Sequence, residues 1–160
     1  MGSLAVPSIL EPLRRSTCGL AAAGVAALAC SPEIQIPDPL VVRVRASEYQ
    51  WYVVYPGADG VLGTPDDLEG MRDLHVPERT RVEVELASDD YIYGFRIPDF
   101  HVNQIAVPEL SFSAAFRAGA EGVHALRGDQ MCGFKHESLL GRVIVHSPPQ
   151  YRAWIRGEGS

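Results

Sequence analysis

Apolar and polar positions alternate along much of the chain. Arg81-Val82-Glu83-Val84-Glu85-Leu86 alternates cleanly and sets Val82, Val84 and Leu86 on one face, the period of a half-buried strand. Leu40-Val41-Val42-Arg43-Val44-Arg45 alternates in part, and Trp51-Tyr52-Val53-Val54-Tyr55 is aromatic and β-branched. Tyr91-Ile92-Tyr93-Gly94-Phe95-Arg96-Ile97 forms another run, closed by Pro98, and 111–117, 123–127 and 142–146 follow. Short strands with turn residues between them predict an all-β fold, an antiparallel sandwich or barrel. Strands do not alternate with helices, which argues against a nucleotide-binding α/β fold. Near the end, Tyr151, Trp154 and Ile155 sit at helical spacing and predict a short terminal helix.

One long segment, Pro56 to Glu69, reads as loop. Its acids invite a calcium reading, but calcium loops alternate their ligands at short spacing and Asp59 has no partner two residues on. A solvated, turn-rich loop is the expectation.

The front of the chain has a different pattern. Arg14-Arg15 precedes an apolar run from Cys18 to Ala29, and Cys30 follows. A basic patch before a short apolar run is the layout of a secretory signal. A spanning helix needs about 20 apolar residues, so this run is too short to cross a bilayer. Ala-Leu-Ala-Cys30 is similar to a bacterial lipoprotein cleavage site, although Ala27 stands where Leu is usual. Residues 1–30 are therefore expected to be a targeting segment, lipidated at Cys30 or simply secreted; the alternative is a disordered or Ala-rich N-terminal helix with no export role. Residues 31–160 form the expected domain. Loss of Cys18 and acylation of Cys30 would leave Cys132 as its single thiol, so no disulfide framework is expected.

Composition narrows the partners. The chain has 160 residues with 14 basic and 20 acidic side chains, a net charge of −6, and Lys135 is its only lysine. Such a balance repels phosphate backbones and excludes nucleic acid as the expected partner. It suits a basic partner instead. No nucleophile–base pair and no paired carboxylates occur at a recognisable spacing.

Chemistry concentrates in Gly128-Asp129-Gln130-Met131-Cys132-Gly133-Phe134-Lys135-His136-Glu137-Ser138-Leu139. A Cys and a His four apart in a loop between strands can meet at one soft metal ion. The same spacing also fits packing. In this segment and others the chain resembles the copper-A domain of cytochrome c oxidase subunit II, a cupredoxin. The resemblance runs in order through Gln50-Trp51, Tyr55-Pro56-Gly57, Leu74-His75-Val76-Pro77, Ser88 to Pro98, Val102-Asn103-Gln104, Ala106-Val107-Pro108, Cys132-Gly133 with His136, and Tyr151 to Trp154. It implies a Greek-key β-sandwich of the cupredoxin kind, lying outside the bacterial inner membrane.

The resemblance also implies where the family's ligands fall. The first His falls on Tyr93, the first Cys on Gly128, the carbonyl ligand on Gln130, the second Cys on Cys132, the second His on His136 and the Met on Leu139. With one thiolate there is no two-thiolate bridge, so no copper-A centre and no tightly bound cofactor are expected. The alternative is a mononuclear copper held by Cys132 and His136, with Tyr93 as an unusual phenolate ligand. His124 lies four residues before Gly128, about 13 Å along a strand at about 3.3 Å per residue, too far to complete such a site. His75 and His101 match no ligand position. Val53, Ile105 and Glu109 also depart from the family pattern. Trp51 remains, and the resemblance gives it a role in docking or electron uptake from a basic cytochrome c. The expected function is that of a structural or interaction subunit, at most a non-catalytic member of a respiratory oxidase complex, tethered by a lipid anchor on the periplasmic side.

Overall fold

In strand β1 (Leu40–Ser47) the sequence alternation becomes burial: Leu40, Val42, Val44 and Ala46 point inward, while Arg43 and Arg45 face out. The computed structural model describes residues 34–131 and 135–158. The outward arginines meet acids elsewhere in the same chain, Arg43 with Glu85 at 3.2 Å and Arg45 with Asp89 at 2.5 Å. β2 (Gln50–Tyr55), β3 (Leu68–Met71), β4 (Leu74–Pro77) and β5 (Arg81–Ser88) follow, then β6 (Tyr93–Ile97) and a 3-10 turn at Pro98–Phe100. β7 (Val102–Ala106), β8 (Phe112–Arg117), β9 (Gly122–Gln130), a 3-10 turn at Glu137–Leu139, β10 (Leu140–His146) and helix α1 (Pro148–Ile155) complete the domain.

The strands form two five-stranded sheets, β3-β2-β1-β5-β8 and β4-β10-β9-β6-β7. Trp51, Tyr55, Tyr93 and Phe95 from the strands, with Tyr151 from the terminal helix, are the largest fully buried side chains. The all-β sandwich with a short terminal helix matches expectation. A purely antiparallel arrangement does not, because β1 pairs with β5 in parallel, as does β4 with β10. The chain leaves the first sheet through β4 and returns as β5, so β5 runs in the direction of β1.

Three further differences have local causes. The run beginning at Tyr91 enters its strand only at Tyr93. Before that, the Ser88 hydroxyl donates to the Tyr91 carbonyl at 2.6 Å and the Tyr91 N–H donates to Asp90 Oδ1 at 2.8 Å, and these bonds bend the chain. β3, β4 and β7 hold only four or five residues each, too few for alternation to announce them as separate strands. The long loop ends at Leu68, inside the segment expected to be loop. Its acids accept backbone N–H groups: Asp59 Oδ1 from Val61 at 2.8 Å and Asp67 Oδ2 from Gly63 at 2.7 Å.

Ser147 and Gln150 form a capping box at the start of α1, with Pro at the first turn. The helix buries Tyr151 and Ile155 and sets Trp154 edge-on to Tyr55, ring centroids 4.8 Å apart. Among the described residues no helix is long and apolar enough to cross a membrane. The targeting segment 1–30, including Cys18 and Cys30, lies outside the described residues.

Candidate functional site

Strands β6 and β9 lie side by side, so that Tyr93 faces Gln130 and Phe95 faces Gly128. Leu139 closes the following turn and is fully buried. The sandwich thus brings together Tyr93, Gly128, Gln130, His136 and Leu139. Cys132 lies outside the described residues.

Trp51 crosses from the other sheet and fills the middle of this cluster. Its ring stands edge-on to Tyr93 at 6.0 Å and to Phe95 at 5.3 Å, and its Nε1–H donates to the Leu139 carbonyl at 3.0 Å. The indole packs against Gly128 so closely that a Cβ there would lie 2.7 Å from Trp51 Cζ2 and 2.8 Å from the Leu139 oxygen. Trp51 has no exposed surface, so it offers no ring face to a partner; the geometry gives it a core role.

Tyr93 is equally enclosed. Its hydroxyl donates to Asp90 Oδ1 at 2.9 Å and accepts the Tyr49 N–H at 3.2 Å. Burial pushes its ionisation well above the usual tyrosine range, and the Asp90 carboxylate adds to the shift. A phenolate at this position is therefore disfavoured at neutral pH.

The residues that seal the cluster carry no obvious sequence signal. Glu48 and Tyr49 join β1 to β2 in a two-residue turn, with φ of 50° and 62°. Two positive φ values are the requirement of a type I′ hairpin, usually met by Asn or Gly. Here tertiary bonds hold the turn. The Glu48 N–H donates to Asp90 Oδ2 at 2.8 Å, and the Ser138 hydroxyl donates to the Tyr49 carbonyl at 2.6 Å. The turn swings the Tyr49 ring onto half-buried His136, centroids 3.8 Å apart, and onto Tyr91 at 5.5 Å. Only the acids of the 88–90 bend, next to Tyr93 in sequence, could have hinted at this seal.

The other histidines are placed elsewhere. His124 bonds Asp99 at 2.8 Å and packs on Phe100, His101 ends the 3-10 turn after β6, and His75 meets His146. A groove of about 630 Å³ runs beside the cluster, lined by Arg96, Arg127, Asp129, Lys135, His136 and Glu137. Arg96 and Asp129 are paired within it at 2.7 Å. Among the described residues no group of three or more His, Cys, Asp or Glu is placed to hold a metal ion.

The family "Cytochrome C oxidase subunit II, periplasmic domain" matches residues 48–147. The chain belongs to this family. Among its relatives, cytochrome c oxidase subunit 2 of Thermostichus vulcanus is 31% identical over 130 residues, covering 81% of this chain and 37% of the relative. The alternative cytochrome c oxidase subunit 2 of Bradyrhizobium diazoefficiens is 27% identical, covering 74% of this chain and 50% of the relative. The chain thus spans between about a third and a half of the length of these relatives. In fold, this subunit II domain is similar to the crystal structure of the periplasmic domain of subunit II of cytochrome oxidase from Bradyrhizobium japonicum. The TM-score is 0.62 at 17% identity, over 77% of this chain and 95% of that one.

Proposed function

We propose that this subunit II-type domain works through its surface, as a structural or interaction subunit within or beside a terminal oxidase assembly, without an intact dinuclear copper-A centre. The packing at Gly128 carries this reading. A bridging thiolate at that position needs a Cβ where the Trp51 indole and the Leu139 carbonyl already stand. The neighbouring positions agree: Tyr93 has its hydroxyl committed to Asp90, and Leu139 is an apolar core residue. These side chains do not fit a thiolate-bridged copper pair.

What the domain retains is a surface. Tyr91, Ile92 and Met131 are exposed beside the sealed cluster, on a chain of net charge −6. An apolar patch on an acidic protein suits a basic partner, a cytochrome c or another oxidase subunit, steered by long-range attraction and weakened by salt. A lipid anchor at Cys30 on the periplasmic side belongs to the same reading, as a tether that needs no spanning helix. Any oxidase activity would belong to the assembly.

Copper titration of the full chain, followed by metal analysis, absorption and electron paramagnetic resonance, tests the reading. The expected result is no stoichiometric copper. Two coppers per chain with a mixed-valence signal would overturn it. One copper with a thiolate-to-copper band that vanishes in Cys132→Ala would replace it with a mononuclear module using Cys132 and His136.

A further inference from the structure

β10 carries a second cluster about 20 Å from the turn that closes the first, because His146 lies six positions beyond Leu140, where the strand leaves that turn. His75 on β4 lies opposite Ile144, so His146 is its diagonal neighbour on the same face. His75 Nδ1 and His146 Nε2 are 2.8 Å apart. Trp154 of α1 stacks on His75, centroids 4.3 Å apart and planes within 7°. Both imidazoles are half-buried, so the pair is walled but still reachable from solvent.

We infer that His75 and His146 form a binding site for one borderline divalent cation of the zinc or copper class, with the two facing ring nitrogens as its protein ligands. Two imidazoles on one ion, at metal–nitrogen bonds of about 2.0–2.1 Å and angles between square and tetrahedral, place their nitrogens about 2.9–3.4 Å apart. From the observed hydrogen-bonded pair the nitrogens would separate by about 0.1–0.6 Å, and both rings would turn so that their lone pairs converge on the ion instead of facing each other. The chemistry of neutral imidazole suits these ions.

The protonation state also favours binding. Burial, with the neighbouring His146, holds His75 down to about 4, and burial lowers His146 as well. Both rings are neutral at pH 7, so an ion does not compete with an added proton. Each neutral ring carries one N–H. The ring now donating in the pair moves that proton to its other nitrogen, freeing both facing lone pairs, and no proton leaves the protein.

The surroundings add two features. Asp73 and Glu121 act electrostatically in favour of positive charge at His75 and His146 respectively, while Arg142 opposes it at His75. Tyr151, whose ring lies 6.5 Å from that of His146, has a buried hydroxyl with no partner among the described residues. Water carried by an ion is the kind of partner that hydroxyl lacks. With two protein ligands, water completes the coordination, and the ion is exchangeable rather than a condition of folding.

Calorimetric titration of the full chain with Zn²⁺ alone, alongside nitrogen NMR of the imidazoles, tests the site. One ion per chain is expected at pH 7.5, with zinc-dependent shifts at His75 Nδ1 and His146 Nε2. Affinity should fall about tenfold or more in His75→Gln and in His146→Gln. It should persist in the Cys132→Ser, His136→Ala double variant, which separates this site from any copper site in the loop. Unshifted nitrogens in the unmodified protein would overturn the inference, whatever the variants do. So would zinc binding that survives removal of both histidines, or that disappears with Cys132 and His136.

Discussion

At the scale of single residues, the sealed cluster depends on Gly128 having no side chain. Gly128→Cys restores a thiol in name only, because its Cβ meets Trp51 and the Leu139 oxygen at distances that real contacts do not adopt. The expected cost is about 1–3 kcal/mol, the usual range for overpacking a core, read from urea melts. In a Trp51→Phe background the same substitution should cost less, since the two positions share one space. A full-cost Gly128→Cys in that background would show that Trp51 is not the obstacle. Tyr93→Phe tests the polar half of the cluster. It strands the Tyr49 N–H and removes a donor from Asp90, and should cost about 1–3 kcal/mol. An unchanged melting midpoint would mean that water satisfies the Tyr49 N–H instead.

At the scale of elements, the β1–β2 turn carries strain that only its neighbours explain. An exposed Glu48 at φ 50° sits where L-residues cost about 1–2 kcal/mol relative to ordinary backbone. Asn tolerates that region, so Glu48→Asn should stabilise the domain by up to about 1 kcal/mol, measured by the urea midpoint. Destabilisation would show that the Glu48 side chain contributes more than its conformation costs. The same turn marks the limit of what the sequence could reveal. Alternation announced β5 and, in part, β1, whose inward residues follow a period of two, while β8, β9 and β10 read only as short runs between turns. It could not announce β3, β4 or β7, which are four or five residues long, nor the parallel pairings, which arise from the path between sheets. The site was legible as positions, since Tyr93, Gly128, Gln130, His136 and Leu139 do converge. Its closure was not. Nothing in Glu48-Tyr49 looks like a type I′ turn, and the bonds that hold it come from Asp90, Tyr93 and Ser138, distant in sequence. Trp51 likewise read as a docking ring, and its full burial is not visible in the sequence.

At the scale of the whole molecule, two carboxylates tie remote parts of the sandwich together, and both make stability depend on acid. Asp73, just before β4, accepts Arg142 Nε at 3.1 Å and its backbone N–H at 2.9 Å, fastening β4 to β10. Asp90 fastens the β1–β2 turn to β6 through the Glu48 N–H and the Tyr93 hydroxyl. Burial alone would raise both acids. Arg142 outweighs it at Asp73, and the backbone and hydroxyl donors outweigh it at Asp90, so both titrate below the ordinary value of 3.8. The unfolded chain then takes up protons before the folded one does. Their stabilisation is fully present above about pH 4–5 and is lost as pH falls through the folded values. The urea midpoint should hold steady down to that range and drop below it. Asp73→Asn and Asp90→Asn should each lower the neutral-pH midpoint, because an amide cannot replace both carboxylate acceptors, and should flatten the acid limb. An acid limb of unchanged steepness in the double variant would assign the loss to other carboxylates and leave these two as ordinary surface acids.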